Sequence, residues 1–172
     1  MHHSILTAAA ATITLIAAPA AAHANTVPNW DRHMLLDTAE GAHFEIDMGK
    51  IAAQHATTRD GRAVARLMVV DHSGELHAVR ALAKKLGVAL PDHPSVLERH
   101  EISGVAAHSG RAFDRAYARL EVGDHVRDTQ TADGELAEGG RSDVKAFAAR
   151  YRKVYLRHLA AFRKVARDVH AW

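Results

Sequence analysis

Between a few breaks made by glycine and proline, apolar residues in this chain recur at helical spacing, with no sustained alternation by two. The breaks fall at Pro28, at Asp60-Gly61 after Thr57-Thr58, through Gly87–Pro94, at Ser109-Gly110 and at Gly139-Gly140. They predict long helices over about 31–57, 60–86, 111–137 and 142–170. Ser95 with Glu98 reads as a capping box that opens a short helix over about 95–108. Ser142 or Asp143 is expected to cap the last helix. A 28-residue helix is about 42 Å long, so four of them make an antiparallel bundle of ordinary size, with one short extra helix between the second and third long ones. The expected organisation is a lead-in over 25–30 and one helical domain over 31–170.

The apolar stripes of these helices are interrupted near mid-length. In the second long helix the stripe Val64, Leu67, Met68, Val79, Leu82, Leu86 runs through Asp71, His72 and Glu75. In the fourth, Val144, Phe147, Tyr151, Val154, Phe162 and Val165 share a face with His158. In the third, Phe113, Tyr117 and Leu120 align with Glu121, Asp124 and His125. In the first, Phe44, Met48 and Ile51 lead to His55, with Glu45 at the stripe's edge. Buried charges persist only when paired, hydrogen-bonded or bound to metal, so the bundle is expected to contain a polar layer.

Two chemistries fit such a layer. Carboxylates and imidazoles projecting inward from four helices are how di-iron bundles are built, which makes Glu45, Asp71, His72, Glu75, Asp124, His125 and His158 candidate ligands for a divalent metal. The other is a network of Asp–His and Glu–His pairs that fixes helix register. The di-iron pattern wants Glu-x-x-His on two helices. The only instance is Glu40-Gly41-Ala42-His43, near the start of the first helix, whereas His72-x-x-Glu75 is reversed and Glu121-x-x-x-His125 is one residue longer. These departures favour the structural network. Val69-Val70-Asp71-His72 and Val122-Gly123-Asp124-His125 look alike, which reads as similar local roles or chance.

Composition narrows the remaining classes. The chain has no cysteine, which removes disulfides, thiolate sites, iron–sulfur clusters, cysteine nucleophiles and a lipid-bearing cysteine. Lys+Arg number 22 against 20 Asp+Glu, too even a balance to indicate nucleic acid. No Gly-x-Ser-x-Gly and no phosphate loop occur, so no catalytic constellation is found and no enzyme activity is expected. The basic last helix (Arg150, Arg152, Lys153, Arg157, Arg163, Lys164, Arg167) reads as a solvated face, or as a contact for an envelope protein or a lipid headgroup. Fourteen histidines are the unusual number.

Together, Phe44-Glu45-Ile46, Val64 through His72 (Val-Ala-Arg-Leu-Met-Val-Val-Asp-His), Leu82-Ala83 with Gly87-Val88 and Pro91, Ser109-Gly110-x-x-Phe113-Asp114-x-x-Tyr117 with His125, and Val144-x-x-Phe147-Ala148 with His158-Leu159 resemble the bacterial family called domain of unknown function 4142. The resemblance spans about 31–167. It implies a ferritin-like helical bundle and export, and carries over Glu45, Asp71, His72, Asp114, His125 and His158. It supplies no activity. Members are often labelled outer-membrane proteins, but this sequence offers neither barrel strands nor a lipid-bearing cysteine. The expected role is therefore an exported bundle of unassigned activity, with an envelope metal-binding protein and an envelope-stress interaction module as alternatives.

Residues 4–22 carry no charge and lead to Ala22-His23-Ala24, a signal-peptidase pattern. Residues 1–24 are therefore expected to be a cleaved signal peptide, placing the mature protein in the periplasm or outside the cell, with no membrane span left after cleavage. Intact mass of protein taken from the envelope fraction should correspond to a chain beginning at Asn25; a mass that includes residues 1–24 refutes cleavage.

Overall fold

The structure, a computed structural model, describes residues 26–172; the expected signal peptide lies outside the described residues. The chain forms α1 (Asn29–His55), α2 (Arg59–Leu86), the short α3 (Val96–Ala106), α4 (Gly110–Glu138) and α5 (Ser142–Asp168). This is an all-α, ferritin-like four-helix bundle with one extra short helix. No described helix is long and apolar enough to cross a membrane.

Polar contacts along the helices fix the topology. Asp60 meets Lys164 and Asp143 meets Lys85, so α2 and α5 run antiparallel. Asp37 meets Thr131 and Trp30 lies against Gly134, so α1 and α4 are antiparallel too. Since α1 and α2 form a hairpin, α2 and α4 point the same way. Their connection must travel the length of the bundle, the single long crossover of ferritin-like folds, and α3 sits on it, packed against α1 and α4.

Local chemistry explains most boundaries. Thr58 accepts a bond from the Gly61 amide at the start of α2, and Gly87 closes that helix at φ 68°, a left-handed conformation suited to glycine. Ser95 and Glu98 form the expected capping box. The start of α5 corrects the sequence reading. Arg141 occupies the N-cap with no side-chain cap. The Asp143 carboxylate instead bonds Arg141 and Lys85. The cap comes from another helix: buried Asp31 of α1 accepts the Gly140 and Arg141 amides, each at 2.8 Å.

The inward faces are rotated from those read off the bulky residues. In α2 the buried set is Gly61, Ala65, Met68, His72, Glu75, Leu76, Val79 and Ala83, whereas Leu67 is exposed and Val64, Asp71, Leu82 and Leu86 lie at the rim. In α1 the seam runs through Glu45, Gly49 and Ala52, while His55 faces solvent. Small residues let the two helices approach: a Cβ on Gly49 would sit 2.9 Å from the Ala65 carbonyl oxygen. Two apolar clusters result. One gathers Met34, Leu35, Val79, Phe147 and Tyr151; the other gathers Met48, Met68, Phe113, Tyr117 and Phe162. Glu45, His72, His125 and His158 fall between them on every long helix, so the polar layer lies at mid-bundle.

Glu135, near the end of α4, is buried with both carboxylate oxygens lacking hydrogen-bond partners. Burial first and the nearby Asp31 charge second push its carboxyl up to about 7, against the opposing pull of Lys145. A carboxyl raised in the folded state stabilises the fold fully below its unfolded value, and that contribution fades as pH rises through the folded value. Glu135→Gln should therefore flatten the decline in stability between about pH 4.5 and 7 and leave the variant more stable than wild type at pH 8. Urea unfolding across this range is the check; parallel curves for the two proteins would refute the assignment.

Candidate metal centre

Three helices bring one imidazole each to a common point. His72 of α2, His125 of α4 and His158 of α5 are fully buried. Each offers a ring nitrogen, and these nitrogens all lie within 4.8 Å of one another. Ring centroids are 5.8 Å apart for His72 and His125, 5.3 Å for His72 and His158, and 5.2 Å for His125 and His158. Tyr155 stacks on one side of His72, and Phe162 packs against His125.

Each ring is clamped from outside. His125 Nδ1 donates to the Glu121 carbonyl one turn back at 2.9 Å. A carbonyl only accepts, so this nitrogen carries the proton. His158 Nε2 donates to Asp71 at 2.8 Å. His72 Nδ1 meets the Glu75 carboxylate at 2.7 Å, and Glu75 also accepts the Tyr155 hydroxyl. The nitrogens left facing inward are Nε2 of His72, which has no hydrogen-bond partner, Nε2 of His125 and Nδ1 of His158. The last two are 3.2 Å apart.

Electrostatics keep the inward nitrogens of His125 and His158 free of protons. Burial first, then repulsion from His72 and His158, holds His125 well below the usual histidine range. Burial and His72 lower His158 to about 4, even though Asp71 pulls the other way. The ordinary expectation, that a carboxylate partner raises a histidine, is thus reversed here because burial outweighs one rim-exposed aspartate. Asp71 itself stays ionised: bonds from His158 and Arg157 outweigh its partial burial and lower its carboxyl. With their outer nitrogens donating, His125 and His158 turn lone pairs toward one another across the core. Such an arrangement could hold a metal ion, since ligating imidazoles are oriented by acceptors bonded to their outer nitrogens.

On the other side of His125 the layer is built of oxygen. Glu45 Oε1 and Glu121 Oε2 each lie 3.7 Å from His125 Nδ1. Neither carboxylate has a hydrogen-bond partner among the described residues. Burial raises both well above the usual carboxyl range, with repulsion from Glu121 and Asp124 adding to it at Glu45 and repulsion from Asp124 adding to it at Glu121.

Of the seven residues singled out in the sequence, His72, His125 and His158 converge. Glu75 and Asp71 stand behind them as acceptors, and Glu45 and Asp124 belong to the oxygen side. Asp71 sits at the rim, its side chain 23% exposed, because the inward seam of α2 passes through His72 and Glu75. Asp114 lies elsewhere: it accepts the Thr57 amide at 2.8 Å and the Thr57 hydroxyl, tying down the α1–α2 turn. Sequence reasoning passed over Tyr155 and Asp128. Each lies three residues from a singled-out histidine, His158 and His125, and that spacing was the available signal.

The profile of a family described as "Domain of unknown function (DUF4142)" matches residues 16–165. Among solved structures, the chain is similar to a DUF305 fragment from Deinococcus radiodurans, at 14% identity and a TM-score of 0.71, covering 81% of this chain and 96% of that one. It is also similar to CopM in its Cu(I)-bound form, at 15% identity and a TM-score of 0.66, with the same coverage. These likenesses concern the fold. A comparison with curated proteins finds no match.

The clamp on His72 depends on the Tyr155 hydroxyl, which is buried with Glu75. Tyr155→Phe removes a hydrogen bond from a buried acceptor, which typically costs about 1–3 kcal/mol. Urea unfolding of chelator-treated protein should show a loss of that size. A variant as stable as wild type would mean the hydroxyl does not support the layer.

Proposed function

We propose that this chain, which belongs to the family of domain of unknown function 4142, is a metal-binding protein of the cell envelope whose mid-bundle imidazoles hold a copper or zinc ion. The observation that carries this reading is the set of inward lone pairs on His72, His125 and His158, each ring clamped on its far side by Glu75, the Glu121 carbonyl or Asp71. Imidazole nitrogen suits copper and zinc, whereas carboxylate oxygen suits harder ions. A purely structural network is the less economical account. It would leave His72 Nε2 buried without a partner and two neutral nitrogens opposed at 3.2 Å. That CopM, a protein of similar fold, has been solved with Cu(I) is compatible with this reading. The proposed role is binding, with the neighbouring Glu75 and Asp71 carboxylates engaged as outer acceptors of the imidazoles. Export through the leader would place it in the periplasm. On the basic face of α5, Arg152, Arg157 and Lys164 pair with Asp133, Asp71 and Asp60, and the exposed Arg150, Lys153, Arg163 and Arg167 would remain available to an envelope partner.

Protein purified without a histidine tag and stripped with chelator supplies the test. Thermal melts with Cu(II), with Zn(II) and with Cu(I) under reductant should show stabilisation by at least one of them, about 2.7 kcal/mol at a hundredfold excess over Kd. His72→Asn and His158→Asn should abolish the response. Asp71→Asn, which alters only the outer acceptor, should weaken affinity roughly 10- to 100-fold. Which ion gives the largest shift identifies the metal. A wild-type melting temperature indifferent to all three sinks the proposal.

A further inference from the structure

The oxygen side of the layer opens toward solvent, whereas the imidazoles are sealed in. Between α1, α3 and α4 lies a cavity of about 230 Å³. At about 30 Å³ per water it has room for several waters, and so for a partly hydrated ion. Its wall carries Asp37, Glu40, Glu98, Glu101, Asp124 and Asp128, with Arg127 as the one cationic side chain. Arg127 is already bonded to Asp124 and lies 3.9 Å from Glu101. A cleft lined by one sign of charge concentrates counter-ions.

At the inner end, Asp124 and Asp128 meet Glu45. These three carboxylates and His125 each offer an atom within 4.8 Å of the others. Glu45 is fully buried, and neither of its oxygens has a hydrogen-bond partner; Asp124 Oδ2 is likewise buried and unpartnered. Acidic residues that serve only solubility do not end in buried, unbonded oxygens pointing at one another. His125 does not complete this set, because its Nδ1 is committed to the Glu121 carbonyl and its Nε2 faces the other imidazoles. What remains is an all-oxygen donor set with solvent access on one side.

We infer that Glu45, Asp124 and Asp128 form a second site, distinct from the imidazole site, that takes a hard divalent cation of the Mn(II), Mg(II) or Ca(II) class through the cavity beneath α3. Oxygen donors select that class over copper, and waters in the cavity would complete the coordination. The two sites differ in donor chemistry, so each can fail without the other.

Mn(II) is the probe, since its free aquo ion gives an EPR signal that is lost on binding. The full chain is titrated with Mn(II) after its imidazole site has been offered Zn(II). One Mn(II) should bind, and competition with Mg(II) and Ca(II) shows which of the three is preferred. Asp128→Asn and Glu45→Gln, both isosteric, should each weaken Mn(II) binding at least tenfold, while His158→Asn leaves it unchanged. Should the carboxylate variants fail to fold, wild type alone decides: Mn(II) should broaden the NMR resonances of residues around Glu45 and Asp124 before those at the ends of the bundle. The inference is overturned if wild type binds no Mn(II), if folded Asp128→Asn and Glu45→Gln bind it as wild type does, or if the broadening lies elsewhere.

Discussion

The bond from His125 Nδ1 to the Glu121 carbonyl sets the character of the whole core. It is a side chain closing on its own helix one turn back, so it needs no other element to form. Once made, it fixes the proton on Nδ1 and turns Nε2 toward α5 and α2. It also divides the layer. On one side stand neutral nitrogens; on the other, Glu45 and Glu121 approach the same ring no closer than 3.7 Å and find no partner.

Topology determines which helices meet there. Because the crossover makes α2 and α4 parallel, both hairpins bring their midpoints to the same level. The apolar clusters above and below then act as lids. Within each hairpin, approach is set by small residues, most tightly at Gly49 against Ala65. A layer of three imidazoles and several carboxylates is expensive in a low-dielectric interior. Large, well-packed side chains at both ends (Phe113, Tyr117 and Phe162 at one, Phe147 and Tyr151 at the other) supply the burial that offsets it.

The fold was legible because helical spacing and breaks are local properties. Helix count, the capping box of Ser95 and the order of elements all follow from neighbours a few residues apart. The inward faces were less so, since bulky residues were weighed above small ones. In α2 the true seam, Gly61, Ala65, Met68, His72, Glu75, Val79 and Ala83, repeats at steps of four and three, a pattern visible only when glycine and alanine count as core. That rotation puts His72 at the centre and Asp71 at the rim. The cap of α5 was not legible at all: its acceptor, Asp31, is more than a hundred residues away. The likeness of the two Val-x-Asp-His segments turns out to reflect shared local roles. In both, histidine points inward, and the preceding aspartate bonds an arginine, Arg157 or Arg127.

The absence of Glu-x-x-His pairs weighed in the sequence toward a structural network, but that motif bears only on one kind of metal site. That motif matters where one helix must supply two ligands to one ion. Here each of three helices supplies a single imidazole, so an ion held by all three would require no intrahelical spacing between ligands, only a common level in the bundle. The i, i+3 pair His72–Glu75 and the i, i+4 pair Glu121–His125 do not bring two ligands together. In each, one residue holds the other in its tautomer. The same spacings that looked like imperfect ligand motifs are therefore orienting contacts, and on the proposed reading the ligands would be the atoms they leave free.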